Sequence, residues 1–162
     1  MKNLIFYIIT LSLFACSLPP DMDNEDIKKL ALECSKKAII NNFTLEQKIL
    51  ITKSLTGDIK DVEKIKDGLN YSNLFFGNLY SGLASFYRKD IDQKLMDSFD
   101  NGCVSGKVRI ENIRINYRNY ETGKSECNAD LVLGVLTYAI TYSAQYMENG
   151  QIYVESRFRY KN

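Results

Sequence analysis

At about residue 107 of this 162-residue chain the spacing of apolar residues changes. Upstream they recur every three or four positions, as on one helix face; downstream they alternate, as on one strand face. A chain whose helical segments all precede its strands has no helix left to cross between parallel strands. The strands must then pair as an antiparallel meander. The fold class expected is α+β, with N-terminal helices packed on one face of a bent antiparallel sheet of about four strands.

The first strand carries the bend. Val108 and Ile110 alternate with Lys107 and Arg109, then Ile113, Ile115 and Tyr117 alternate with Asn112, Arg114 and Asn116. The apolar parity switches from even to odd at Glu111-Asn112, which is what one inserted residue, a β-bulge, produces. Residues 121–124 read as a hairpin turn into a strand over 127–133, and residues 137–147 as a third strand rich in Thr, Tyr and Ile. Glu148-Asn149-Gly150-Gln151 carries the Asn-Gly signal of a type I′ hairpin, returning along 152–160.

Upstream, Asn24 caps a helix to about Ile40 whose stripe is Ile27, Leu30, Ala31, Cys34 and Ala38. Thr44 to Gln47 has the form of a capping box opening a helix to about Leu55, stopped at Gly57. Ile49 to Thr52, within it, also reads as a strand. Asp58 to Gly68 forms a short helix, residues 72–88 an aromatic-rich one, and Asp90 caps a last helix ended by Asn101-Gly102. Helices followed by a long bulged strand resemble the NTF2-like and cystatin-like cone folds; the likeness implies a fold and carries no function.

The N-terminus has a different character. Lys2 precedes Leu4 to Phe14, about 11 residues and roughly 16 Å of helix. A bilayer core needs about 20 residues, so this run is too short to span. A charged start, a short apolar run and a small residue at its end have the form of an export signal. Leu13-Phe14-Ala15-Cys16 resembles the lipobox of bacterial lipoproteins, departing from it at Phe14. The resemblance implies cleavage of residues 1–15, acylation of Cys16 and attachment to a membrane of the bacterial envelope. Ser17, after the lipidated cysteine, resembles the outer-membrane sorting pattern of enterobacteria, implying a site facing the periplasm. Residues 16–23 contain both prolines of the chain and read as an extended tether, leaving 24–162 as a single α+β domain.

Composition narrows the chemistry. Lys2 is the only charged residue of the signal, so removing it balances the 21 basic residues against the 20 acidic ones. The charges are interspersed, which excludes the clustered basic face of a nucleic-acid binder. Arg109, Arg114 and Arg118 are the nearest thing to a basic stripe, read as a solvated strand face or an anion site. The chain has no His, which removes Ser-His-Asp and Cys-His catalysis and the usual transition-metal ligand. No cofactor or metal motif is present. Cys34, Cys103 and Cys127 lack zinc spacing. In an oxidising envelope they allow one disulfide, Cys34 with Cys103 or with Cys127, or three separate thiols.

The expected function is therefore non-enzymatic: a lipid-anchored envelope domain that binds a protein or ligand or serves a structural role. Its candidate surface is Tyr138, Tyr142 and Tyr146 on one strand face, with Tyr153 nearly opposite Tyr146. The alternatives are an inhibitor or immunity-type lipoprotein directed at a lytic enzyme, and a glycan hydrolase using two of Glu111, Glu126, Asp130 and Glu155.

Overall fold

The computed structural model of the chain describes residues 18–57 and 83–159, with the backbone alone over 83–88. The signal at 1–15, Cys16, the short helix expected over 58–68 and most of the one over 72–88 lie outside the described residues. Those residues form three helices and one four-stranded sheet, an α+β fold.

Helix α1, Glu25–Asn42, begins where the Asn24 side chain accepts a hydrogen bond from the Asp26 N–H at 2.9 Å. Glu25 and Asp26 add negative charge to the first turn, which the helix dipole favours. Helix α2, Leu45–Thr56, opens with the expected capping box: the Gln47 N–H donates to Thr44 Oγ1 and the Thr44 N–H to Gln47 Oε1. It closes at Gly57, whose φ of 88° suits a residue without Cβ.

Helix α3, Leu83–Ser105, corrects the sequence reading. Asp90 is no cap; it sits inside one continuous helix and pairs with Lys94 one turn on, at 2.9 Å. Gly102 does not end the helix either. A Cβ there would lie 2.5 Å from Val108 Cγ2, so the glycine lets the helix approach the first strand. The turn out of the helix falls at Gly106, φ 73°.

The sheet runs in the order β1 (Val108–Asn119), β2 (Lys124–Leu133), β3 (Leu136–Tyr146), β4 (Ile152–Phe158), every neighbour antiparallel. The expected bulge is present: the β1–β2 register shifts between Glu111 and Arg114, and Asn112 adopts φ 53°. Asn is among the few non-glycine residues that enter this region readily. A second shift follows between Ile115 and Tyr117. The β3–β4 turn differs from the expected type I′, which needs positive φ at both central residues. Only Gly150 has it, at 79°. The Gly150 N–H donates to Met147 O and the Met147 N–H to Gln151 O, the pattern of a type I turn followed by a glycine bulge.

All three helices pack on one sheet face. α1 lies chiefly on β4, and α3 on α2 and β1. The buried stripe of α1 is Ile27, Ala31, Ser35 and Ile39, rotated from the expected one, so Leu30 is 39% exposed. Ser35 belongs in the core because its hydroxyl donates to Ala31 O and meets Ser156 Oγ of β4 at 2.8 Å. At the other end, the β2–β3 turn closes against α2. Ser54 Oγ donates to Leu133 O at 2.7 Å and accepts from the Val135 N–H at 2.9 Å.

The residues expected as a free tether are part of the fold. Pro20 and Met22 are fully buried. Ser125 Oγ of β2 donates to Pro20 O at 2.9 Å, and Tyr142 Oη of β3 donates to Met22 O at 2.6 Å. The segment thus lies across the helix-side face of the sheet, and the folded unit begins ahead of residue 24. Met22→Ala should cost about 2–5 kcal/mol, the usual range for a buried large-to-small change. Leu30→Ala should stay within about 1 kcal/mol. Chemical denaturation of the two variants checks this, and equal losses would contradict the docking.

Candidate functional site

Strand parity assigns each side chain to a face. On β2 the odd residues Ser125 to Leu133 are buried toward the helices, and the even ones point away. On β3 the even residues Ile140, Tyr142 and Ala144 are buried toward the helices, so by alternation Thr141, Ser143 and Gln145 point outward, Ser143 itself being only 9% exposed. The register then builds three rows on the outward face: Arg114, Asn128, Thr141, Arg157; Tyr117, Glu126, Ser143, Glu155; and Asn119, Lys124, Gln145, Tyr153. No helix among the described residues covers these rows.

Hydrogen bonds tie the face together. Thr141 Oγ1 donates to Asn128 Oδ1 at 2.8 Å, and Asn128 Nδ2 donates to Asn116 Oδ1 at 2.9 Å. Tyr153 Oη donates to Glu155 Oε1 at 2.9 Å, and Gln145 Nε2 donates to Thr122 O at 3.0 Å. The result is a half-ordered polar surface presenting Tyr, Arg, Asn and Thr, with charges of both signs.

The four expected tyrosines do not form one surface. Tyr142 is 1% exposed; burial drives its phenol pKa well up, and its hydroxyl is committed to Met22 O. Tyr138 belongs to an edge-to-face cluster, its ring centroid 5.7 Å from Phe43 and 5.9 Å from Phe158. Tyr146 pairs with Ile152 and Tyr153 with Gln145, so these two exposed rings lie on opposite faces. The signal that identifies the faces was in the sequence: of the odd residues that alternate with the tyrosines, Thr137, Thr141, Ser143 and Gln145 are polar and only Ala139 is not.

The other candidates also separate. Arg114 lies outward, whereas Arg118 pairs with buried Ser125 and lies on the helix side, because the second bulge reverses the parity between them. Arg109 pairs with Glu111 and donates to Gly106 O. Asp130 accepts from Asn112 Nδ2 at 2.8 Å. Glu126 and Glu155 flank Ser143 in one row, about 10 Å apart by strand spacing. No helix among the described residues covers them, and neither of two cavities of about 280 Å³ is lined by any of the four acids.

One of those cavities is lined by Leu18, Pro19, Asp21, Arg118 and Tyr120, where the N-terminal segment meets the β1–β2 hairpin. The other is lined by the α1–α2 junction together with Lys48 and Asp92. Lys48 is buried, and its Nζ meets Asp92 Oδ1 at 2.6 Å. Sequence periodicity did not single this pair out, because Asp92 reaches it from a helix distant in sequence.

The three cysteines are free thiols. Of the alternatives the sequence allowed, three separate thiols are found and a bridge from Cys34 to Cys103 or Cys127 is not: Cys34 Sγ donates to Val154 O at 3.2 Å, and Cys127 is enclosed on the sheet beside Tyr142. Burial raises all three thiol pKa values, that of Cys127 to about 11. With no family model, no curated protein and no solved structure matching the chain, function must be read from these surfaces.

The Cys127 shift has a definite sign in stability. Below about pH 9 the thiol is protonated in both folded and unfolded chains. From there to about pH 11 the unfolded chain sheds its proton while the folded one keeps it, so stability falls as pH rises. The loss attributable to Cys127 is about 2 kcal/mol, and buried Tyr142 acts in the same direction at higher pH. Cys127→Ala should flatten this alkaline slope in denaturation curves taken from pH 8 to 11; an unchanged slope would contradict it.

Proposed function

We propose that the chain is a lipid-anchored protein of the bacterial envelope, cleaved before Cys16, acylated there and facing the periplasm. In this reading its domain acts by binding an envelope protein or ligand rather than by catalysis. Two or more acyl chains, at about 0.8 kcal/mol per buried CH₂, would hold it stably.

The observation that carries the binding role is the outward face of the sheet. Its rows combine Arg114, Arg157, Tyr117 and Tyr153 with the amides and hydroxyls of Asn128, Thr141 and Gln145. Tyr and Arg are enriched where proteins meet partners, and the internal hydrogen bonds hold several of these groups in place before any partner arrives. The interspersed charges favour a partner matched in pattern over one attracted by net charge.

Cys16→Ser should abolish palmitate incorporation and leave a precursor that retains residues 1–15. A wild-type protein that fractionates unlipidated would overturn the anchor.

For the binding face, Thr141→Arg should reduce capture of the partner by the full chain about tenfold, with Val104→Arg on α3 as the unaffected control. Capture that responds equally to both would place recognition elsewhere. Release of soluble fragments from peptidoglycan by the wild type, lost in Glu126→Gln or Glu155→Gln, would replace the binding role with hydrolysis.

A further inference from the structure

The strand directions place both the β1–β2 and the β3–β4 turns at one end of the sheet, and the N-terminal segment enters at that end. Gln145 Nε2, donating to Thr122 O, links the two hairpins there. Leu18 lines a cavity with Arg118 and Tyr120 of the first hairpin. Cys16 is two residues from Leu18, so its Cα is within about 7 Å of the Leu18 Cα whatever path the chain takes. Since residues 20–22 are fixed by burial and by two hydrogen bonds, the chain cannot pay out further length. A lipid on Cys16 would therefore hold this end of the sheet against the bilayer.

The side chains at this end fit such a neighbour. Leu18, Tyr117, Tyr120, Tyr146, Met147 and Tyr153 are all exposed, from 36% for Tyr146 to 74% for Leu18. Of the other exposed large apolar residues, Leu30, Val104 and Val135 are scattered elsewhere, and Ile115 lies on β1 two residues before Tyr117. The six come from three separate stretches and from both faces of the sheet, so only a surface meeting the sheet end-on touches them together. Tyr, with an apolar ring and polar tip, is enriched at membrane–water interfaces. Arg118 and Lys124 share the end with Asp21, Glu121 and Glu148, a mixed set that suits a layer of zwitterionic headgroups and gives no preference for net anionic lipid.

We propose that this hairpin end is a membrane-docking surface: the sheet stands on the bilayer with its strands steeply inclined, and the tyrosines of both hairpins lie in the headgroup layer. The inference rests on the lipid-anchor reading and extends it from a point of attachment to an orientation. In this orientation Tyr117 and Tyr153 serve the membrane, and the part of the outward face left to a partner is the row farthest from the hairpin turns, Arg114, Asn128, Thr141 and Arg157, which stays accessible from the side; the β2–β3 turn at Gly134-Val135 points away from the membrane.

The chain contains no Trp, so a single substitution installs a unique reporter. Tyr120→Trp and Met147→Trp probe the two hairpin ends, and Val135→Trp the opposite end. Each full-length variant is purified from membranes and reconstituted into phosphatidylcholine vesicles containing brominated lipid, with vesicle flotation recorded on the same sample. In floating protein, emission from positions 120 and 147 should be blue-shifted and quenched by the bromines at least about twofold more than from position 135, as for rings in the interface. Flotation with equal quenching at both ends would overturn the docking and leave the anchor standing. Failure to float would overturn the anchor and the docking with it. A blue shift at 120 and 147 that grows with protein concentration in detergent alone would assign the surface to a second copy of the chain, and would also overturn the proposal.

Discussion

An extended segment lying across a sheet face, rather than along an edge, cannot satisfy its carbonyls from the strand ladder. Any that are buried need side-chain donors. Here the donors are Ser125 and Tyr142, whose hydroxyls reach the carbonyls of Pro20 and Met22. This exchange explains two core positions that hydrophobicity alone would fill with Val or Leu. It also makes the dependence mutual. Without residues 20–22, two hydroxyls would lose their buried acceptors and the Met22 side chain would leave a hole. With them in place, the described residues contain no buried side-chain nitrogen or oxygen without a partner. The N-terminal segment is thus a structural layer filling the space beyond the helices, and whatever is attached just ahead of it inherits a fixed position.

Much of the architecture was legible because its signals are local. The capping box at Thr44, the stop at Gly57 and the Asn24 cap each depend on residues within one turn. The bulge at Glu111-Asn112 was readable because a two-residue period cannot change parity without an extra residue. The features that escaped depend on contacts distant in sequence. Asp90 and Gly102 carry the marks of helix boundaries, yet α3 runs through both. Asp90 stays on the exposed surface, and Gly102 is set by the approach of Val108. The stripe of α1 was rotated because Ser35, a polar residue, finds Ser156 on β4. The prolines at 19 and 20 correctly signalled an extended path, but nothing local signals that an extended path will be buried.

The tyrosines show the same division more sharply. Alternation in β3 placed Tyr138, Tyr142 and Tyr146 on one face but did not by itself say which way that face points. Its decisive neighbours were Ile140 and Ala144 on the same side and Thr141 and Ser143 on the other. Read together, they make the tyrosine side the core. The single step from Tyr146 to its partner Ile152 then moved Tyr153 to the opposite face, since the β3–β4 turn contains one residue more than a type I′ hairpin. A one-residue difference in a loop reassigns every side chain beyond it.

The helix layer carries its own constraint, and it bears on which side of the molecule is free to evolve a partner. Lys48 on α2 is buried against Asp92 on α3. Such a pair contributes little net stability, but either charge left alone in that position is costly. It therefore penalises sliding of α2 along α3 more than apolar contacts would. Ser54, Gly102 and Gly134 impose similar restrictions where helices meet strands, through hydrogen bonds and approaches too close for a Cβ. On the outward face the described side chains that are exposed or half-buried hydrogen-bond chiefly to one another along and across strands, and only Val132 and Ser143 are buried there. Among the described residues the closest packing restrictions thus lie on the helix side of the sheet, and most of the opposite side is chemically adjustable, which is the arrangement a binding surface on a fixed platform requires.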